Sequence, residues 1–183
     1  NLDNTTADNV IDAHGKAVSP GFINMIGWGV TSLITDGRGL SDITQGITLE
    51  VFGEGNSMGP LSPNMKTEFP KYWDEIQPQW TSLGEYLEFL ETKGVAPNVA
   101  SFIGATTPRI HVLGQDDVDP TPEQLQQMQE LVREAMREGA VGVASSLIYT
   151  PASFAETAEL IALAKGAAEY DGIYASHLRN EGK

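Results

Sequence analysis

From residue 98 onward the chain alternates strand-like and helical segments, and no other feature of the sequence restricts its fold so strongly. Residues 98–105 are small and apolar and read as a strand. Thr121-Pro122-Glu123-Gln124 then forms a capping box with proline at the first helical position. Leu125, Met128, Val132 and Ala135 recur at helical spacing up to Gly139. Residues 140–147 read as a strand, 157–170 as a helix closed by Asp171-Gly172, and 172–176 as a strand again. This order predicts an α/β fold whose parallel strands are joined by right-handed crossovers. The pattern suits both a closed barrel and an open doubly wound sheet. No Gly-rich phosphate fingerprint follows any strand, which weighs against the nucleotide-binding open form.

The first half is less regular. Two short apolar runs within residues 10–18 flank His14-Gly15 and predict a small hairpin or a strand entrance. Residues 22–26 read as a buried strand. Residues 28–45 carry a loose helical stripe interrupted by Gly37 and Gly39. Residues 46–53 have strong β character, and residues 83–93 form a helix closed by Gly94. Between them, residues 55–82 are rich in Gly, Pro, Ser and Asn and read as a long functional loop or excursion.

Composition removes several classes of function. The 183 residues carry a formal net charge of −14, so binding to nucleic acid or an anionic membrane is not expected. There is no cysteine, which excludes disulfides, thiolate nucleophiles and Cys-type zinc sites. No run approaches the ~18 apolar residues of a membrane helix, and no signal peptide is visible, so a cytoplasmic location is expected. The chain starts at Asn1 and ends just after a strand-like run, which reads as part of a longer polypeptide.

In parallel βα architectures, ligands bind at the C-terminal ends of strands. That rule selects Glu54, then Thr106, Thr107 and Arg109, then Ser145, Ser146 and Tyr149, and finally His177, Arg179 and Glu181. On residue type alone, His177 suits zinc ligation or general-base work, and equally a structural role. Glu54 is either a carboxylate ligand or a solvated turn residue. Glu50 is a weaker candidate of the same kind. Tyr149 either donates to a substrate carboxylate or rests with its hydroxyl in water. His14, His111, Trp28, Trp73 and Trp80 read as packing residues. Ser145-Ser146 lacks the Gly-x-Ser-x-Gly elbow of serine hydrolases.

The stretch Val10-Ile11-Asp12-Ala13-His14-Gly15-Lys16-Ala17-Val18-Ser19-Pro20-Gly21-Phe22-Ile23 resembles the start of the barrel in the amidohydrolase superfamily. There a small β-domain hands over to the first strand. Ser145-Ser146-Leu147-Ile148-Tyr149-Thr150-Pro151, Glu159-Leu160-Ile161-Ala162-Leu163-Ala164 and Gly172-Ile173-Tyr174-Ala175-Ser176-His177-Leu178-Arg179-Asn180-Glu181-Gly182 resemble the D-aminoacylase branch, the N-acyl-D-amino-acid deacylases. The resemblance implies the edge of a small β-domain over residues 1–19. It implies the first part of a (β/α)8 barrel of TIM type over residues 20–183.

It also implies that His177 is a zinc ligand, and that Glu54 stands where the branch carries a cysteine ligand. The usual Asp-x-His-x-His is here Asn24-Met25-Ile26-Gly27-Trp28, so a single zinc is expected. Tyr149 and Arg179 are the expected substrate-binding groups. The branch takes its catalytic Asp and a further His from later strands, beyond Lys183, so the rest of the barrel is required. The activity implied is hydrolysis of the amide bond in a small N-acyl-D-amino acid by metal-activated water. The alternatives are another amidohydrolase acting on a cyclic amide or peptide, and a catalytically silent barrel that binds a small molecule or a partner.

Overall fold

The computed structural model describes residues 8–73 and 76–182. Six strands and seven helices follow in chain order: β1 (Phe22–Asn24), α1 (Ser32–Thr35), α2 (Leu40–Ile43), β2 (Ile47–Phe52), α3 (Pro63–Tyr72), α4 (Leu83–Lys93), β3 (Asn98–Ser101), β4 (Ile103–Gly104), α5 (Thr106–Leu113), α6 (Pro122–Arg137), β5 (Gly142–Ser146), α7 (Thr157–Ala168) and β6 (Ile173–His177). A short 3₁₀ turn, Ala152–Phe154, precedes α7.

Every strand pairing is parallel, as the alternation of elements predicts. The strands form two sheets in the orders β1-β2-β3 and β4-β5-β6. The predicted strand over 98–105 is divided at Phe102, with β3 paired to β2 and β4 paired to β5. The Phe102 N–H donates to the Phe52 carbonyl at 2.8 Å, and the Val141 N–H donates to that of Ser101 at 2.9 Å. The same extended run therefore links both sheets.

Side chains alternate across the strands with period two. Phe52, Ile103 and Val143 face the helices and pack with Tyr86 and Leu90 of α4, Met128 and Val132 of α6, and Leu163 of α7. The opposite face is a smaller apolar layer of Val51, Phe102 and Ala144 with Leu49, Ala100, Val141 and Ala175. The capping box of α6 forms as read, with Thr121 Oγ1 accepting from the Gln124 N–H at 3.2 Å. A second box, Ser82 with Glu85, starts α4.

Two expectations are corrected. No hairpin forms over 10–18. Only the His14-Gly15 turn closes there, and Val10, Ile11 and Val18 stay exposed. Nothing among the described residues offers those runs a paired strand. Phe22 and Ile23 are 57% and 56% exposed rather than buried, because β1 is a sheet edge. The 55–82 excursion contains α3, started by Ser62 and Pro63. Its aromatics close over the core: Trp80 donates to the Met58 carbonyl and packs against Phe69, Tyr86 and Phe89.

Among the described residues, one ion pair is fully buried. Arg109 of α5 donates to Glu159 of α7 at 2.6 Å and to the Val118 carbonyl at 2.7 Å. It thereby ties together two helices and the 116–120 linker. Burial pushes the Glu159 carboxyl above its ordinary range, and Arg109 opposes that rise. Arg109→Met leaves the Glu159 charge unpaired and should cost about 3–5 kcal/mol in urea unfolding. The double variant Arg109→Met/Glu159→Leu should lose markedly less than the sum of the two single variants.

Candidate functional site

The strand ends that sequence reasoning selected meet at one edge of the fold, and a glycine-rich turn brings them together. After β2 the chain turns through Gly53 (φ +94°) and Gly55 (φ +74°), a conformation that other residues adopt only with strain. The turn then crosses β4. The Gly55 N–H donates to the Ala144 carbonyl of β5 at 3.3 Å, and the Thr106 N–H donates to the Gly55 carbonyl at 2.9 Å. A Cβ on Gly53 would strike the Phe102 carbonyl oxygen, and one on Gly104 would strike that of Gly55. A Cβ on Gly55 would lie 2.5 Å from the Ser146 Cβ. Three glycines therefore let the turn lie flat against the ends of β4 and β5.

Glu54 sits at the apex of this turn. Its Oε2 accepts the indole N–H of Trp28, just beyond β1, at 3.3 Å. Ser146 pairs with His177 in the β5–β6 register. The turn thus lies about two strand spacings, about 10 Å, from His177. The His177 Nδ1 lies 3.1 Å from the Leu178 carbonyl, and its Nε2 lies 3.5 Å from Oε1 of Glu181. A carbonyl only accepts, so a proton on Nδ1 suits the Leu178 contact, and Nε2 faces the exposed Glu181 carboxylate. The Tyr149 ring packs 5.9 Å from the imidazole, and its edge is open to solvent. The buried hydroxyl of Ser146 has no hydrogen-bond partner.

The remaining strand-end residues have other duties. Arg179 donates to the Ser153 carbonyl at 2.7 Å and the Ala155 carbonyl at 2.8 Å, which fastens the loop after Tyr149. Thr107 Oγ1 accepts the Ser57 N–H, and Arg109 is taken by Glu159. Ser145 faces Tyr174 and Ser176 on the other side of the sheet. His14 contacts Asp12 at the surface, and His111 lies beside the Pro60 carbonyl. Trp28, read from sequence as a packing residue, is instead the hydrogen-bond partner of Glu54. The signal was its place in the Asn24-Met25-Ile26-Gly27-Trp28 stretch, where the resemblance puts a histidine.

Glu50 shares the face of Phe52 and lies under Gly27 and Gly29, away from His177. Burial, and then the neighbouring Asp42, pushes its carboxyl up to about 7. A concavity of about 580 Å³ lies beside α4 at the N-terminal end of β3, remote from these strand ends.

A carboxylate and a neutral imidazole are donors that suit zinc. Among the described residues, however, no three His, Asp or Glu side chains gather into a metal-binding cluster. Glu54 and His177 match such an ion in donor chemistry but not in number.

Two predictions follow from this geometry. Gly104→Ala has only backbone to displace, so it should lift the 53–55 turn and cost about 1–3 kcal/mol in thermal or urea unfolding, with loss of amide protection at Gly55. Glu50 has a folded pKa above its unfolded value, so the folded state binds more protons between about pH 4.5 and pH 7. Stability from this group is present below pH 4.5 and is lost as pH rises through 7. Glu50→Gln should remove that slope and stabilise the protein at pH 8 by on the order of 1–3 kcal/mol, measured by urea unfolding at pH 5 and 8.

No family model matches the chain. A D-aminoacylase from Alcaligenes xylosoxydans xylosoxydans is 30% identical over all of the chain, which covers 38% of that relative. A solved D-aminoacylase, described with a binuclear metal centre showing one-metal activation and second-metal attenuation, superimposes with TM-score 0.85 at 30% identity. It covers all of this chain, and this chain covers 39% of it. An N-acyl-D-glutamate deacylase from Bordetella bronchiseptica, solved with zinc and a phosphonate mimic of the tetrahedral intermediate, gives TM-score 0.81 at 30% identity. It covers 99% of this chain, and this chain covers 38% of it. The chain thus spans well under half the length of the relatives it matches, and along its own length it is similar to D-aminoacylases and N-acyl-D-amino-acid deacylases.

Proposed function

We propose that residues 20–183 are the first part of a (β/α)8 barrel, preceded by the edge of a small β-domain, and that they supply two ligands of a single-zinc site for deacylating N-acyl-D-amino acids. The observation that carries this reading is the convergence of Glu54 and His177 at the C-terminal strand ends, with Nδ1 of His177 turned to the Leu178 carbonyl and Nε2 facing only the exposed Glu181. Five extended segments in parallel chain order, counting β3 and β4 as one, support the barrel. The solved relatives, one holding zinc and one described with one-metal activation, support the metal.

Zinc bound by such ligands supplies Lewis acidity toward the acyl carbonyl and toward water. The residues of the chain do the rest. Glu54 brings a compensating negative charge, and Trp28 holds one of its oxygens so that the other is aimed. Leu178 fixes the imidazole tautomer of His177. The exposed Tyr149 hydroxyl donates to the substrate carboxylate. Arg179 acts through the 153–155 loop, since two of its donors are committed there. Ile26 and Trp28 have no metal-binding atom, so a second ion has no ligands on this side. The remaining ligands and the catalytic Asp come from the later strands of the barrel.

In the full-length protein, His177→Ala should remove most bound zinc and lower deacylation of N-acetyl-D-amino acids by more than about 100-fold. Intact metal content and turnover in that variant would sink the proposal. Trp28→Phe should weaken zinc binding by about 10-fold while leaving the fold intact. The missing histidine pair also favours a second reading, a silent barrel that only binds ligand. Full-length protein that carries no metal and turns over neither D- nor L-substrates would establish it.

A further inference from the structure

Directly behind the candidate site lies a cavity of about 220 Å³. Asn56 and Ser57, which follow the Glu54-Gly55 turn, form one wall. Thr150 and Pro151, which follow Tyr149, form another. The cavity thus adjoins both segments that carry the proposed site. Its remaining surface is largely apolar: Leu61 and Phe69 are buried, and Met65 and Trp73 are half-buried.

Its chemistry is selective. Among the described residues Glu68 is the one charged side chain in the lining, and Lys71 lies 3.7 Å from its carboxylate. A carboxylate placed there would meet a like charge, and the nearby cation is already paired with it. Two of its hydroxyls are already used: Ser57 donates to the Gly59 carbonyl, and Thr107 accepts from the Ser57 N–H. Leu61, Met65, Phe69, Trp73, Ile110 and Pro151 make its contact mainly apolar, beside the polar Asn56, Gln115 and Thr150, and such a wall suits hydrocarbon. At about seven water volumes of ~30 Å³ it admits one arm of a substrate rather than a whole drug-sized ligand.

We propose that this cavity takes the hydrocarbon tail of the substrate's acyl group, so that the protein prefers N-acyl-D-amino acids with chains longer than acetyl. The proposal rests on the deacylase reading above. It places the carboxylate of the substrate at Tyr149 and the reacting carbonyl between Glu54 and His177. The acyl tail extends from that carbonyl away from the amino acid. Most of the lining belongs to residues 56–73, on the Glu54 side, where such a tail leads.

The test uses the full-length, zinc-loaded enzyme with N-acetyl-, N-butyryl- and N-hexanoyl-D-alanine. The kcat/KM should rise about tenfold or more from acetyl to hexanoyl, within the discrimination that apolar pockets achieve. Met65→Trp, and independently Ile110→Trp from the facing helix α5, should collapse the hexanoyl-to-acetyl ratio toward one. In the zinc-free protein, N-hexanoyl-D-alanine should shift tryptophan emission, and Trp73→Phe should remove that shift. A ratio that neither variant changes overturns the proposal while the deacylase reading stands. So does a preference that follows the amino-acid side chain at constant acetyl. Absence of hydrolysis at every chain length overturns the deacylase reading and this proposal with it.

Discussion

Most of the candidate site depends on the close passage of the Gly53–Gly55 turn over β4. Backbone meets backbone there, with the Gly55 carbonyl against Gly104 and the Phe102 carbonyl against Gly53. No side chain could be tolerated at either contact. Because the turn lies so close, it borrows hydrogen bonds from Ala144 and Thr106 and so spans from β2 to β5. Glu54 is thereby carried across one strand toward His177. A turn held off by a single methyl group would leave Glu54 on the far side of β4.

The same edge illustrates how neighbours sort polar residues of similar type. Arg109 and Arg179 both follow strands, yet neither presents a free guanidinium. Arg109 is enclosed with Glu159 and two carbonyls from the linker, and Arg179 is bound to the loop after Tyr149. Both instead position the segments around the site. Among the carboxylates, Glu54 is oriented by an indole N–H at the partly open rim, whereas Glu50 lies beneath glycine backbone beside Asp42. Burial next to a like charge favours the protonated form of Glu50, which suits it to packing rather than to metal ligation.

Likeness to the D-aminoacylases gives these details a frame, and the points where the chain departs from the expected pattern are equally informative. The histidine pair expected after β1 is replaced by Ile26 and Trp28, and Trp28 is hydrogen-bonded to Glu54. Both changes concern the same side of the site. A bulky donor stands where the resemblance leads one to expect a histidine, and a carboxylate that accepts its hydrogen bond stands opposite. The cavity behind the 55–82 excursion adds a third local feature, because α3 supplies much of its apolar wall.

The sequence by itself determined the parallel α/β plan, since helical spacing in 125–135 and 160–168 and the strand-like runs between are local properties that periodicity reports directly. It also placed Glu54, Tyr149 and His177 at strand ends. It missed α3 and α5, whose starts at Ser62-Pro63 and Ala105-Thr106 lack strong apolar periodicity and draw on packing against Trp80, Tyr86 and α6. It did not reveal that 10–18 would remain unpaired or that Phe22 would lie at an edge, because strand pairing depends on partners distant in the chain. Above all, only the tertiary structure decided which strand-end groups face one another. Ser145 and Ser146 differ by one position and point to opposite faces, and the crossing of β4 by the 53–55 turn follows from contacts some fifty and ninety residues apart.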